Sequence, residues 1–443
     1  MSDGNEVPKT VLRKAVAASA IGNGTEWFDY ALYANLTVVL GPLFFPGAGE
    51  NATALTLLGL AVSFVLRPLG GIVWGPLGDR LGRQRVLSIT ILLMSGCTAL
   101  IGLLPTAASI GILAPILLFL LRIIQGFSTG GEYGGAATFM AEYAPDKKRG
   151  FWGSFLEVGT LAGFAAGTGV VYAVRAIVGD EAMAEWGWRI PFLIALPLGL
   201  VGLYLRTRIE DTPVFRELEE TGQKEEKATG AFTDLLRRYR KPILTLFGLV
   251  IALNVINYTL LAYLATYLQK TIGMEAGDAE LLLIVGQLAM LVFIPLAGSL
   301  SDRIGRKPCW WISLVGIFVL AIPMFLLMAQ GFGWAVLGFT VLGLVYVLQL
   351  GTISSTFPAM FPTHVRFAGM AISYNVATAA FGGTAPLIND AAVGATGDNL
   401  FPAYYMMGAC VIGMIAMLFL KETKGASLRG REIPVAPELA KAR

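Results

Sequence analysis

The sequence predicts an all-α integral membrane protein built as two pseudo-symmetric bundles of six helices each. Of its 443 residues, 55% are hydrophobic and only 14% are charged, whereas about a quarter of an ordinary soluble chain is charged. The mean hydropathy is +0.67. About twelve apolar segments follow one another, and one short loop motif occurs twice, about half the chain apart. Lipid must therefore be the solvent for most of the side chains.

Each apolar segment is long enough to cross a bilayer, which takes roughly 20 residues of helix. The fourth is longer than that and predicts a tilted helix. The predicted spans lie near residues 16–40, 52–77, 86–105, 111–142, 151–177, 186–206, 241–269, 279–300, 309–330, 334–361, 366–391 and 400–420.

The signs of the loop charges predict the orientation of the chain. Basic residues precede the first span and follow the second, fourth, eighth and tenth spans. The opposite loops hold mainly acids, and Glu280 is predicted to be one of these loop acids. By the positive-inside rule both termini are cytoplasmic, in a multi-pass protein of the inner membrane. A polar stretch divides the chain into an N-terminal bundle (1–206), a cytoplasmic linker (207–240), a C-terminal bundle (241–420) and a short cytoplasmic tail (421–443).

Several functional classes are excluded by what the sequence lacks. The three cysteines lie in apolar stretches without metal-ligand spacing, and His364 is the only histidine, so paired haem ligation within the membrane is not possible. The chain also has no phosphate-binding Gly-x-x-x-x-Gly-Lys-Ser/Thr stretch. We therefore expect no enzyme activity, no metal and no cofactor.

The repeated loop carries a family resemblance. GDRLGRQ at 78–84 follows the second span, and SDRIGRK at 301–307 follows the eighth, which is the same place in a six-span unit. The loop resembles the signature of the major facilitator superfamily. The stretches GTEWFDY (24–30), RPLGG (67–71), QGFSTGGEYGG (125–135) and WGWRIPF (186–192) resemble the metabolite:proton symporters within it.

Three further stretches, GPLFFPG (41–47), IALPLGL (194–200) and PAMFPTHVR (358–366), are most similar to proline and betaine osmoprotectant symporters. The resemblance implies a proton-coupled symporter that imports a small zwitterionic osmolyte by alternating access. An organic anion such as citrate, 2-oxoglutarate or shikimate is the alternative substrate. Channel or sensor function is a third hypothesis, but it does not explain the repeated Asp-Arg loops. We expect the substrate, the proton and the lipid bilayer to be the partners of a monomer that binds no nucleic acid.

Charged side chains inside apolar spans are costly and often functional. Glu26 and Asp29 share one face of the first span with two tyrosines, and Glu132 lies in the fourth. Neighbouring carboxylates repel each other, so one of them can hold a proton near neutral pH. We predict that Asp29, Glu26 or Glu132 carries the coupled proton. For Arg67 and Glu157, structural ion pairing and function remain equally open.

A zwitterion needs a cation for its carboxylate, and aromatic faces with nearby acid for its ammonium. We predict that Arg122 binds the carboxylate and that three tyrosines surround the ammonium. The second half offers polar but uncharged side chains at its predicted centre. The predicted substrate-binding residues are Arg122, Tyr30, Tyr33, Tyr133, Gln125, Trp27, Asn254, Asn257 and Tyr374.

The loop repeats predict a latch between the halves on the cytoplasmic side. Asp79 and Asp302 can lie near the N-termini of the eleventh and fifth spans, where charge pairing and helix dipoles would hold the halves together. The predicted latch residues are Asp79, Arg83, Arg149, Asp302, Arg306 and Arg366.

Overall fold

The computed structural model describes residues 9–81, 83–130, 132–207, 237–362, 365–428 and 433–437. Within these ranges the side chains of Asp79, Arg83 and Glu132 lie outside the described part, as does most of the predicted linker, residues 208–236. The described chain is helical and contains no β-strand.

Twelve helical units, α1 to α12, match the twelve predicted segments in order, and some of them consist of two or more consecutive helices. They are α1 (Lys9–Asn35, then Thr37–Phe44), α2 (Ala52–Leu81), α3 (Arg83–Leu103), α4 (Leu113–Ser128, then Glu132–Tyr143), α5 (Phe155–Val178), α6 (Arg189–Thr207), α7 (Arg240–Asn257, then Tyr258–Tyr263, Leu264–Thr266 and Tyr267–Thr271), α8 (Ala276–Ile304), α9 (Arg306–Met328), α10 (Phe332–Leu350), α11 (Arg366–Phe381, then Thr384–Thr396) and α12 (Phe401–Phe419). Shorter turns in the connections are Pro46–Asn51, Ala107–Ile110, Asp146–Lys148, Arg149–Gly153, Asp180–Ala182, Met183–Gly187, Ile353–Thr356 and Pro358–Met360.

The units differ in how well they would span a membrane by themselves. In the described part, 7 continuous helices are long and apolar enough to cross, and a bent pair ending in α6 brings the number to 8. The apolar helices of α3 and α4 are shorter. α1 carries buried charges, and α11 is interrupted. The weakest spans are therefore held by packing against neighbours, which satisfies polar groups that lipid cannot.

The sequence predicts the fourth unit as one long tilted helix, and the structure differs from this prediction. The unit is interrupted between Ser128 and Glu132. At this interruption the backbone of Gly130 packs so closely on the Arg67 carbonyl of α2 that a Cβ atom would overlap it. The second part of α4, Glu132–Tyr143, packs against the first helix of α11.

Helix contacts repeat between the two halves of the chain. α1 packs on α5, α2 on α4 and α3 on α6, and the equivalent pairs α7 with α11, α8 with α10 and α9 with α12 pack in the second half. The halves meet through α5 against α8 and through α2 against α11. These two contacts flank the centre of the molecule, where the polar side chains of both halves face each other.

Close contact between α1 and α5 depends on glycine. A Cβ on Gly163 would overlap the Gly24 carbonyl, whereas Gly169 on the same helix has no atom within 4 Å of such a Cβ. Small residues let transmembrane backbones approach in this way. The α1 side chains reach the centre only because this contact is close.

We predict opposite effects of the same substitution at these two glycines. Gly163→Ala forces α1 from α5 and should lower the free energy of unfolding by about 1–3 kcal/mol. Gly169→Ala replaces a glycine inside a helix by a residue that favours helix. It should leave the free energy of unfolding unchanged or raise it by up to about 1 kcal/mol. Reversible unfolding in mixed micelles measures both, and equal stabilities for the two variants would contradict the proposed close contact.

Candidate functional site

The polar stripe of α1 is fully enclosed at the centre of the first half. Glu26, Asp29, Tyr30 and Tyr33 are each at most 4% exposed. Their spacing along the helix puts all four on one face, which is turned toward α2 and α4. Two arginines reach this face, Arg67 from α2 and Arg122 from α4.

Arg67 is paired. Its Nη2 lies 2.7 Å from Oε1 of Glu26, and both side chains are buried. The guanidinium also lies over two aromatic rings, 4.2 Å from the centroid of Phe64 and 4.9 Å from that of Tyr30. The structure thus gives Arg67 the ion-pair role, and it gives Glu26 a fixed cation.

Arg122 is held differently. Its guanidinium lies 4.0 Å from the ring centroid of Tyr33, and its Nη1 donates to Gln125 at 2.8 Å. Gln125 in turn donates to the Thr98 hydroxyl at 2.6 Å. Nε and Nη2 of Arg122 have no hydrogen-bond partner among the described residues. These two nitrogens form one edge of the guanidinium, the edge that binds a carboxylate with two parallel hydrogen bonds.

Asp29 lies next to this arginine. Its electrostatic neighbours are the Thr98 hydroxyl, Arg122 and Glu26. Its Oδ2 is buried and has no hydrogen-bond partner in the described part of the chain. Asp29 is therefore the acid of the stripe that is free to change its bonding.

Tyr33 is less available than the sequence suggested. Its hydroxyl donates to the Thr56 carbonyl at 2.8 Å, and Arg122 covers its ring. The predicted contact between this ring and a substrate ammonium stays a prediction, and in this structure the Arg122 guanidinium lies over one face of the ring.

Aromatic rings connect the two halves beside the stripe. Trp27 lies 5.7 Å from Tyr30 and 5.9 Å from Tyr258 of α7. Phe64 lies 5.0 Å from both Tyr30 and Tyr258. The Tyr258 hydroxyl is buried and has no partner within the described ranges. The predicted substrate contact of Trp27 stays a prediction, and the structure places its ring among these aromatic contacts. Tyr258 could be recognised from the sequence only as one of several polar residues in its span.

A second ring contact crosses between the halves nearer the repeated loops. Tyr133 of α4 stacks on Tyr374 of α11 with centroids 4.6 Å apart and ring planes 15° apart. The Tyr133 hydroxyl donates to Oε1 of Glu157. Among the predicted residues of the second half, Asn254 donates to Thr378 at 2.9 Å, and Asn257 accepts from Tyr346 at 3.0 Å. Both asparagines thus have partners inside their own bundle.

The predicted latch has one described aspartate. The Asp302 carboxylate accepts from the amides of Gly150 and Phe151 at 2.8 and 2.9 Å, which places it at the N-terminal end leading into α5. Arg306 donates to the same carboxylate at 2.8 Å. A carboxylate at this end of a helix also has a favourable interaction with the helix dipole. The contact joins the second half to the first.

The latch arginines bind mainly backbone oxygens and neighbouring acids. Arg149 donates to the carbonyls of Ala141 and Ala426, and it pairs with Asp146. Arg366 donates to the carbonyls of Pro358 and Leu428. It also pairs at 2.6 Å with Glu142 of the first half. Asp79 and Arg83 of the other loop copy, and Glu132 of α4, fall on side chains that the structure does not describe.

The opposite end of the α5–α8 contact carries an ion pair that the sequence analysis missed. Arg175 of α5 lies 3.0 Å from Glu280 of α8, which is fully buried. The assignment of Glu280 to a polar loop is wrong, because this residue lies buried inside α8, which begins at Ala276, and pairs with Arg175. The available signal was a single arginine and a single glutamate inside facing apolar segments. In this structure the halves are therefore fastened at both ends of α5.

Comparisons with known proteins agree with this architecture. Residues 26–386 match the model of the Major Facilitator Superfamily. A structure of the proton:xylose symporter XylE bound to 6-bromo-6-deoxy-D-glucose superposes with a TM-score of 0.74 over 95% of this chain and 98% of that chain, at 20% identity. That likeness establishes the fold, with its twelve helices in two bundles.

Curated relatives match over almost the whole chain. The glycine betaine/proline/ectoine/pipecolic acid transporter OusA of Dickeya dadantii is 43% identical over 98% of this chain and 87% of its own length. The proline/betaine transporter of Escherichia coli K12 is 43% identical over 98% and 88%. The ectoine/proline transporter ProP of Corynebacterium glutamicum is 41% identical over 97% and 88%. The chain is a membrane transporter, not an enzyme, and it belongs to the major facilitator superfamily.

Proposed function

We propose that this transporter is a proton-coupled symporter that imports a small zwitterionic osmolyte, such as proline or glycine betaine, by alternating access. The observation that carries the proposal is the Nε and Nη2 edge of Arg122, which has no hydrogen-bond partner among the described residues and lies beside the buried carboxylate of Asp29. The names of the relatives, which are proline, betaine and ectoine transporters, support the substrate class.

Charge balance at the centre favours a zwitterion over an organic dianion. A dianion needs two free cations, but Arg67 is already neutralised by Glu26 at 2.7 Å. This leaves one arginine, Arg122, for a substrate carboxylate. Tyr30, whose ring centroid lies 5.5 Å from the Arg122 guanidinium, packs on Trp27, and Trp27 packs on Tyr258. These three rings supply faces for a methylated ammonium. One cation and several rings fit a molecule with one carboxylate and one ammonium.

Coupling follows from competition for Arg122. While Asp29 is ionised, its negative charge satisfies the arginine electrostatically. When Asp29 takes up a proton, that attraction is lost and the Nε and Nη2 edge can bind the substrate carboxylate. The charge that enters with the substrate carboxylate thus replaces the charge that the proton removed. Proton and substrate therefore favour each other's binding, which is the thermodynamic requirement for symport.

Alternating access requires that the fastenings at the two ends of α5 open in turn. The Asp302 contact closes the predicted cytoplasmic end, and the Arg175–Glu280 pair closes the opposite end. Rocking of one bundle against the other about a central site would break one fastening while it keeps the other.

We expect Asp29→Asn to abolish accumulation driven by a proton gradient while exchange of substrate across the membrane persists. The amide cannot change its charge, but it leaves Arg122 available for the substrate carboxylate. Labelled betaine uptake in proteoliposomes, with and without an imposed proton gradient, measures both activities. Full gradient-driven accumulation in Asp29→Asn would contradict the coupling role and move it to Glu26 or Glu132.

The substrate class is tested by binding to Arg122→Gln and Tyr30→Leu, with labelled glycine betaine and labelled 2-oxoglutarate as ligands. We expect wild type to bind betaine and Tyr30→Leu to bind it a few-fold to roughly thirty-fold more weakly. Arg122→Gln should lose more, because a buried carboxylate is left without its cation.

Tyr405→Leu, which replaces a tyrosine of α12 outside the central cluster, is the matched control and should bind betaine as wild type does. If wild type binds 2-oxoglutarate but no betaine, the osmolyte proposal is overturned in favour of an organic anion. Tolerance of Tyr30→Leu, together with loss of binding on removal of either arginine, would point the same way.

We predict that Asp302→Asn weakens closure at the predicted cytoplasmic end. An amide offers the Gly150 and Phe151 N–H groups of the first half one neutral acceptor oxygen in place of two charged ones, which should cost the closed state about 1.5–3 kcal/mol. Spin labels on Lys147→Cys and Lys307→Cys report the distance between the halves. Asp398→Asn changes an acid whose carboxylate accepts from the Leu400 amide within its own half, so it serves as the control. An unchanged distance distribution in Asp302→Asn would exclude the latch.

A further inference from the structure

A third buried acid lies between the central stripe and the latch. Glu157 lies in the first turn of α5, and 2% of it is exposed. It accepts a hydrogen bond from the Tyr133 hydroxyl, and the Thr160 hydroxyl lies within hydrogen-bond reach on its own helix. The proposal for Asp29 and Arg122 makes no use of this carboxylate, and sequence reasoning left its role open.

The surroundings of Glu157 contain no cation in the described part of the chain. The titratable groups that face it are Tyr133 of α4, Tyr346 of α10 and Tyr374 of α11. α1 contributes Asn23, whose amide donates to the Leu156 carbonyl and to Thr160.

The carboxylate of Asp302, on α8, accepts hydrogen bonds from two backbone amides and from Arg306. Glu157 thus differs from Glu26, which has Arg67 as its fixed cation. A buried carboxylate without a cation is costly in its ionised form, and uptake of a proton removes that cost.

The hydrogen bond from Tyr133 connects this acid to the contact between the halves. The ring that donates to Glu157 is the ring that stacks on Tyr374 of the second half, 4.6 Å away. The ring centroid of Phe357 lies 6.5 Å from that of Tyr374. The orientation of the Tyr133 ring therefore depends on Glu157 on one side and determines a contact between the bundles on the other.

We propose that Glu157 is a second proton-binding carboxylate of the transport cycle, and that it positions Tyr133 against Tyr374 to keep the passage toward the repeated loops closed. Ionised Glu157 accepts a charge-assisted hydrogen bond from Tyr133, which is roughly twice as strong as a neutral one. Protonation replaces it by a neutral hydrogen bond, so Tyr133 is held less firmly and the stack separates more readily. The inference rests on the proposed symport, to which it adds a proton-dependent gate.

The test uses full-length protein labelled on Lys147→Cys and Lys307→Cys, in which the distance between the halves is measured from pH 5 to pH 8. We expect wild type to shift toward longer distances as the pH falls, by about five-fold in the ratio of open to closed populations. Glu157→Gln offers a neutral acceptor at every pH and should remain shifted toward the open population throughout. Tyr133→Phe removes the donor and should behave in the same way.

Two further variants separate positioning from simple damage. Glu157→Asp keeps the ionisable group and should restore a pH-dependent shift. Tyr405→Phe removes a phenol hydroxyl that has no partner among the described residues, and it should follow the wild-type profile. In betaine uptake, Glu157→Gln should change the pH profile of the maximal rate and leave the half-saturating concentration close to that of wild type.

A wild-type pH profile of the distance in Glu157→Gln would overturn the inference. So would a change confined to half-saturation, because that would make Glu157 a substrate ligand. The distance measurement needs no substrate, so its outcome is independent of whether betaine is transported. Failure of wild type to bind betaine would instead reject the proposed function alone.

Discussion

Burial of Arg67 inside the first bundle requires an anion in direct contact, and Glu26 of α1 supplies it at 2.7 Å. Breaking such a pair by removing one partner typically costs about 3–5 kcal/mol, because the remaining charge is stranded. The pair therefore fixes α1 against α2. Because Glu26 and Arg67 neutralise each other, neither is offered to the substrate in the proposed mechanism. What remains is Asp29 beside Arg122, whose free edge faces no partner among the described residues.

Charged side chains also have direct partners at both ends of the α5–α8 contact. At one end the Asp302 carboxylate binds backbone amides across the halves, and at the other Arg175 meets Glu280. Both fastenings are closed in this structure, so the central acids are shielded from both sides of the molecule. Proposals for coupling and for gating share one physical basis: protonation of a buried acid releases a group that its charge had held, Arg122 for Asp29 and Tyr133 for Glu157.

The sequence predicted the fold class well because hydropathy is a local property. The twelve segments, the stripe on α1 and the burial of Arg122 all follow from spacing along single helices. Partners on different helices could not be predicted: Arg67 could have paired with several acids, and the stacking of Tyr133 on Tyr374 depends on how the halves meet. The interruption in α4 and the burial of Glu280 against Arg175 also reflect contacts with neighbouring helices. The ring of Tyr33 looked available because no sequence pattern could show Arg122 lying on it.

In the proposed mechanism, substrate and proton bind together because both act on the electrostatic interaction between Asp29 and Arg122. Calorimetry of glycine betaine binding to the purified protein near neutral pH, in buffers with different heats of ionisation, tests it directly. We expect the apparent binding enthalpy to vary with the ionisation heat of the buffer in the sense of proton uptake, and we expect this dependence to disappear in Asp29→Asn. A binding enthalpy of the wild-type protein that is the same in every buffer would contradict it.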